Sequence, residues 1–83
     1  PNGVRWGKTA TAFPVAIAAT ATWDPPLVER MGQALAREVK ARGRQVLLAP
    51  CVNISRLPQH GRNFECFGED PFLSARTAVA YIN

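Results

Sequence analysis

Apolar and polar positions divide the chain into alternating stretches. Residues 1–12, PNGVRWGKTATA, are polar and turn-rich, with Asn2-Gly3 as a turn signal, and are expected to form a loop. Residues 13–22, FPVAIAATAT, are a short apolar run with β-branched members. That run reads as a buried strand or an irregular segment. Asp24-Pro25-Pro26 then marks a helix start. The Asp24 carboxylate can cap free backbone N–H groups, and a proline at the first helical position gives up no needed donor. Leu27, Val28, Met31, Leu35 and Val39 follow at helical spacing, while Arg30, Arg37, Lys40 and the Glu38/Arg42 pair lie largely off that stripe. Gly43 is a suitable stop, so the pattern predicts a helix over 25–42.

Residues 45–50, QVLLAP, are nearly all apolar, as expected of a parallel strand covered on both faces. Helix, glycine turn and strand together make a βα-type unit, which predicts an α/β fold. Residues 51–69 show no clear periodicity. A long stretch without structure of its own is usually a functional loop. This one leaves the end of a predicted strand, where parallel α/β folds build their ligand sites. Glu69-Asp70-Pro71 repeats the helix-start device, and Phe72, Leu73, Ala75, Ala78, Val79 and Ile82 form the next apolar stripe. The two starts, WDPPLVER and EDPFLSAR, echo each other like successive helices of one layer.

Composition narrows the class. At 83 residues the chain is one small domain at most, or a piece of one, and 47% hydrophobic with 19% charged residues argues against wholesale disorder. The net charge of +4 would suit a nucleic acid or an anionic surface, but no three basic residues are consecutive. Nucleic-acid binding is therefore the lesser expectation. Cys51 and Cys66 make no CxxC motif, and His60 is the single histidine, so neither a zinc set nor another metal or cofactor is expected. No apolar run approaches the ~20 residues of a membrane span. The chain opens on Pro1 and stops at Asn83 directly after an apolar run, which reads as an internal fragment.

The loop holds the candidate chemistry, in Gly61-Arg62-Asn63-Phe64-Glu65. Arg62 offers fixed donors and Glu65 only acceptors, whereas a sugar hydroxyl is both. The two could grip neighbouring hydroxyls through charge-assisted bonds, or pair with each other and brace the loop. Glu69 and Asp70 are adjacent carboxylates, and Asp70 is better used as a helix cap than as a catalytic group. His60 reads as an exposed loop residue, the cysteines as small packing residues, and Trp23 as packing just ahead of a cap. Trp6 and Trp23 could alternatively stack on a sugar face.

The string from FPVAIAATATWDPPLVER through VLLAPCVNISR and GRNFECFGEDPFL closely resembles the N-terminal barrel domain of family 3 glycoside hydrolases, the β-glucosidase group. The opening PNGVR resembles the tail of that family's DGPNGVR segment, so the likeness runs over essentially all of residues 1–83. The resemblance implies a (β/α)₈ TIM-type barrel, present here as about its first third. It implies a retaining hydrolase of terminal β-D-glucosyl residues, working with an Asp nucleophile and a Glu acid/base. Arg62 matches the arginine of the family's GR motif, and Arg5 the arginine that ends DGPNGVR; both would contact the terminal sugar. Glu65 matches the motif's acidic residue, as a subsite or bracing group.

None of the six acidic residues matches a catalytic one, so the fragment alone is expected to be inactive. Its implied partners are a β-glucoside or oligosaccharide and the remainder of the parent chain, with no nucleic acid and no membrane. A non-catalytic carbohydrate-binding relative is the alternative. Many members read PLGGRNFE where this chain has Pro58-Gln59-His60-Gly61, a departure that bears on the neighbouring subsite.

Overall fold

The computed structural model describes residues 3–5 and 9–83. Three helices carry it: α1 (Ala16–Ala21), α2 (Pro25–Ala41) and α3 (Pro71–Ile82). A single 3₁₀ turn, Asn63–Glu65, lies in the long loop between α2 and α3.

The apolar run 13–22 thus holds a short helix, Ala16–Ala21, after an irregular start at 13–15, and no strand. Alanine is the strongest helix former, and it outweighs the β-branched members here. The threonine hydroxyls find partners inside the helix: Thr20 Oγ1 donates to the Ala16 carbonyl at 3.1 Å, and Thr22 Oγ1 to that of Ala19 at 2.7 Å. Trp23 turns the chain from α1 to α2 with φ of 53° and is 77% exposed, so it does not pack as its place before a cap suggests.

Both helix-start signals act as read. Asp24 Oδ1 accepts from Leu27 N at 3.1 Å, and Asp70 Oδ1 accepts from Phe72 N at 2.8 Å and Leu73 N at 3.2 Å. At the other end of α2, Gly43 takes φ of +67°, the left-handed cap that favours glycine.

The core is small. Ala19 of α1, Val28 of α2 and Ala80 of α3 are buried together, with Met31 and Tyr81 packed against them. Tyr81 also meets the Phe67 ring edge-on, centroids 6.2 Å apart. Val28, Leu35 and Val39 of the α2 stripe are buried as the spacing predicts.

The stripe assigned to α3 is corrected. Its buried residues are Ser74, Thr77, Ala78 and Ala80, while Phe72, Val79 and Ile82 are exposed. Helix–helix approach explains the choice. Gly32 of α2 lies so close to the Tyr81 main chain that a Cβ there would run into the Tyr81 carbonyl oxygen. At that separation small side chains suit the α3 face beside Gly32, and Phe72, Val79 and Ile82 lie outside it.

The strand expected at 45–50 is also corrected. These residues form no ladder, and Val46 and Leu48 are 77% and 89% exposed. A strand exists only against a hydrogen-bonded neighbour. Among the described residues the one such partnership is a single parallel bridge, Cys51 to Cys66. The described residues are therefore mainly helical, with one β-bridge, and show no strand of the partial α/β barrel expected.

Candidate functional site

Glu38 of α2 and Arg42, the residue that caps its C-terminus, fix the N-terminal segment. The Arg42 guanidinium donates to the Thr9 carbonyl at 2.5 Å and reaches that of Val4 at 3.5 Å. The Glu38 carboxylate accepts from the Thr11 amide at 3.3 Å and from its hydroxyl. Gly3, with φ of +143°, passes so near Thr11 that a Cβ would meet the Thr11 carbonyl oxygen. These contacts set the backbone on both sides of Arg5. The Glu38/Arg42 pair, which lies off the apolar stripe, thus anchors the segment that carries a candidate site residue.

Loop 51–69 is folded back on itself rather than structureless. Ser55 N donates to the Gly68 carbonyl at 3.0 Å, closing the loop's base. Asn63 Nδ2 donates to the Leu57 carbonyl at 2.7 Å, and the 3₁₀ turn follows. That turn puts Arg62 and Glu65 on one side, where Arg62 Nη2 meets Glu65 Oε2 at 2.6 Å. The Arg62 side chain is 74% exposed, whereas that of Glu65 is only 12% exposed. Glu65 is the seated partner, and Arg62 presents its remaining donors outward.

Arg5, Arg62 and Glu65 line one open cleft of about 700 Å³, together with Arg44, Leu48 and Cys51. The structure thus brings all three candidate residues to one place. Their charges act on one another. The hydrogen bond from Arg62, then its charge and that of Arg5, hold the Glu65 carboxyl below the ordinary glutamate value against the opposing effect of burial. The Glu65 hydrogen bond and charge push the Arg62 guanidinium further up. A group whose pKa is lowered in the folded state contributes stability above its unfolded value of about 4.3, and loses it as pH falls through the folded value. The pairing is therefore expected to persist across neutral pH and to break only in acid. An NMR titration checks this: the Glu65 carboxyl should titrate below the ordinary range, and return toward it in Arg62→Ala.

Other candidates fall elsewhere. Asp70 is used as the α3 cap, Glu69 and His60 are exposed, and Trp6 lies outside the described residues. Among the described residues no three His, Cys, Asp or Glu side chains group as metal ligands do. Residue patterns missed Phe64, whose half-exposed ring lines a second hollow beside Arg5. They also missed Arg44 and Cys51 as cleft residues. An aromatic between Arg62 and Glu65 in the motif was the available signal for Phe64.

Residues 2–83 match the model of the glycosyl hydrolase family 3 N-terminal domain. The chain belongs to glycosyl hydrolase family 3. Curated relatives of this family 3 chain include a β-glucosidase of Rhizobium radiobacter, 56% identical over 89 residues, covering 100% of this chain and 11% of that protein. The thermostable β-glucosidase B of Acetivibrio thermocellus is 49% identical over 73 residues, covering 88% of this chain and 10% of the relative. Among solved structures, DesR, a β-glucosidase from Streptomyces venezuelae in complex with D-glucose, superposes with a TM-score of 0.94 at 43% identity. That match covers 99% of this chain and 11% of DesR. The family 3 chain therefore spans about a tenth of the length of the proteins it matches.

Proposed function

We propose that this family 3 chain is a section of a retaining β-glucosidase, and that Arg5, Arg62 and Glu65 belong to the subsite holding the terminal sugar. The carrying observation is their convergence on one cleft from two separate segments, residues 3–5 and 62–65. The cleft offers arginine donors beside a carboxylate acceptor, the pairing that suits vicinal hydroxyls. The β-glucosidases it resembles, one of them crystallised with D-glucose, support the same substrate class.

In this reading the chain is part of a TIM-type barrel. The outward face of α3, with exposed Phe72, Val79 and Ile82, supports that placement. It is an apolar surface of the kind that neighbouring strands and helices cover. The hydrolysis runs by double displacement: an Asp of the parent chain attacks C1, a Glu protonates the departing oxygen, and the same Glu then activates water. Arg5 and Arg62 orient the sugar so that C1 faces the nucleophile.

The test is hydrolysis of an aryl β-D-glucoside by the full-length protein that carries these residues, with the first-formed anomer read by NMR. Release of β-glucose is expected, and no turnover by residues 1–83 alone. α-Glucose as first product would overturn the retaining mechanism. Glucose binding without hydrolysis would establish the non-catalytic relative instead.

A further inference from the structure

Cys51 and Cys66 are the two residues joined by the parallel bridge, and their Sγ atoms lie 3.7 Å apart as free thiols. Paired strands run about 4.8 Å apart, within the Cα separation that a disulfide spans. The two thiols differ in access. Cys66 is buried, with Arg62 O at 4.0 Å and Ser55 beside its thiol, whereas Cys51 is part-exposed and lines the cleft. Arg5, Arg44 and Arg62 line that cleft too, and the only carboxylate among its described lining residues, Glu65, is paired with Arg62. A partly exposed, electropositive setting is where thiols exchange readily.

We propose that Cys51 and Cys66 form an exchange-active dithiol, closed to a disulfide by a low-molecular-weight disulfide such as glutathione disulfide and reopened by dithiols. Cys51, as thiolate, attacks one sulfur of the glutathione disulfide. A Cys51–glutathione mixed disulfide forms and one glutathione leaves. Cys66 then loses its proton and attacks Cys51 Sγ, expelling the second glutathione. The protein dithiol is oxidised by two electrons, the glutathione disulfide is reduced to two thiols, and both protein protons end on them. Burial and the neighbouring Cys51 raise the Cys66 thiol above its ordinary value, which suits a resolving thiol that reacts only once its partner is activated. The bond would tie together the ends of segment 52–65, which carries Arg62 and Glu65.

The experiment uses the full-length protein, equilibrated with glutathione disulfide, alkylated and mapped by peptide mass spectrometry. It reads thiols, not sugar hydrolysis, so its outcome is independent of the glucosidase reading. A linked Cys51–Cys66 peptide lighter by two hydrogens, reversed by dithiothreitol, is expected. In Cys66→Ser the Cys51–glutathione adduct should accumulate roughly tenfold over the wild-type level, because nothing resolves it. In Cys51→Ser, Cys66 should stay free. Two free, alkylatable thiols in the wild type under excess glutathione disulfide would overturn the proposal. So would modification of Cys66 in Cys51→Ser at the wild-type rate. The wild-type map decides the matter even where a serine variant fails to fold.

Discussion

Arg62→Ala in the full-length protein is expected to lower kcat/KM for an aryl β-D-glucoside by on the order of 100-fold. The Glu65 contact fixes one guanidinium nitrogen of a five-donor fork, and most of the side chain faces the cleft. Charge-assisted hydrogen bonds contribute about 1.5–3 kcal/mol each, and every 1.36 kcal/mol is a factor of ten. One or two such bonds to hydroxyls account for the size of the loss. Arg62→Lys should recover little, since a single ammonium cannot hold Glu65 and a hydroxyl in the same fixed geometry. Glu65→Gln should cost less, roughly tenfold, because it loosens the brace while leaving the guanidinium charge in place. The decisive control is a series of deoxyglucosides: the analogue lacking the contacted hydroxyl should be indifferent to Arg62→Ala. A change under about threefold with every substrate would remove Arg62 from the subsite and leave it as a brace.

That dual part for Arg62 shows what residue order carries and what it does not. The Arg-x-x-Glu spacing was open between bracing and sugar contact, and the structure contains the brace directly, at 2.6 Å. Bracing and binding are compatible, because the carboxylate occupies one side of the fork only. Local signals are legible: two Asp-Pro starts, the glycine stop and the α2 stripe depend on neighbours within a turn or two. What required long-range packing was not legible. The expected α3 stripe of Phe72, Leu73, Ala75, Ala78, Val79 and Ile82 shares only Ala78 with the buried face, which is the small one that fits against Gly32. The strand expected at 45–50 rests on hydropathy alone, whereas a strand needs a hydrogen-bonded neighbour. The Cys51–Cys66 pair is 15 residues apart in sequence, with no motif to mark it. The signal for Gly32 was present: an isolated glycine inside a helix costs about 1 kcal/mol against alanine, so it asks for a packing reason.

That reason leads to the largest stability effect expected here. Gly32→Ala should destabilise the full-length protein by roughly 2 kcal/mol, and Gly32→Val by more. Alanine gains about 1 kcal/mol of helix propensity at such a site, so a stabilised variant is what the sequence alone would suggest. The contact across the helix pair reverses the sign. An added Cβ would run into the Tyr81 carbonyl oxygen, with the Tyr81 carbonyl carbon at 3.2 Å and its Cα at 3.5 Å. All three are main-chain atoms of α3, so no rotamer change relieves the clash and the helices must separate. Separation would loosen Val28, Met31, Ala80 and Tyr81 together, and with Tyr81 the ring contact to Phe67 beside Cys66. Amide hydrogen exchange in α2 and α3, with the urea midpoint of the same transition, measures the cost. Gly61→Ala is the control for stability, because nothing lies within 4 Å of a Cβ built there and its change should be close to zero. Tyr81→Ala should not rescue Gly32→Ala, since the obstructing atom is a backbone oxygen that every residue at position 81 carries. Rescue by Tyr81→Ala, or a Gly32→Ala variant as stable as the parent, would mean that α2 and α3 are not held at this distance.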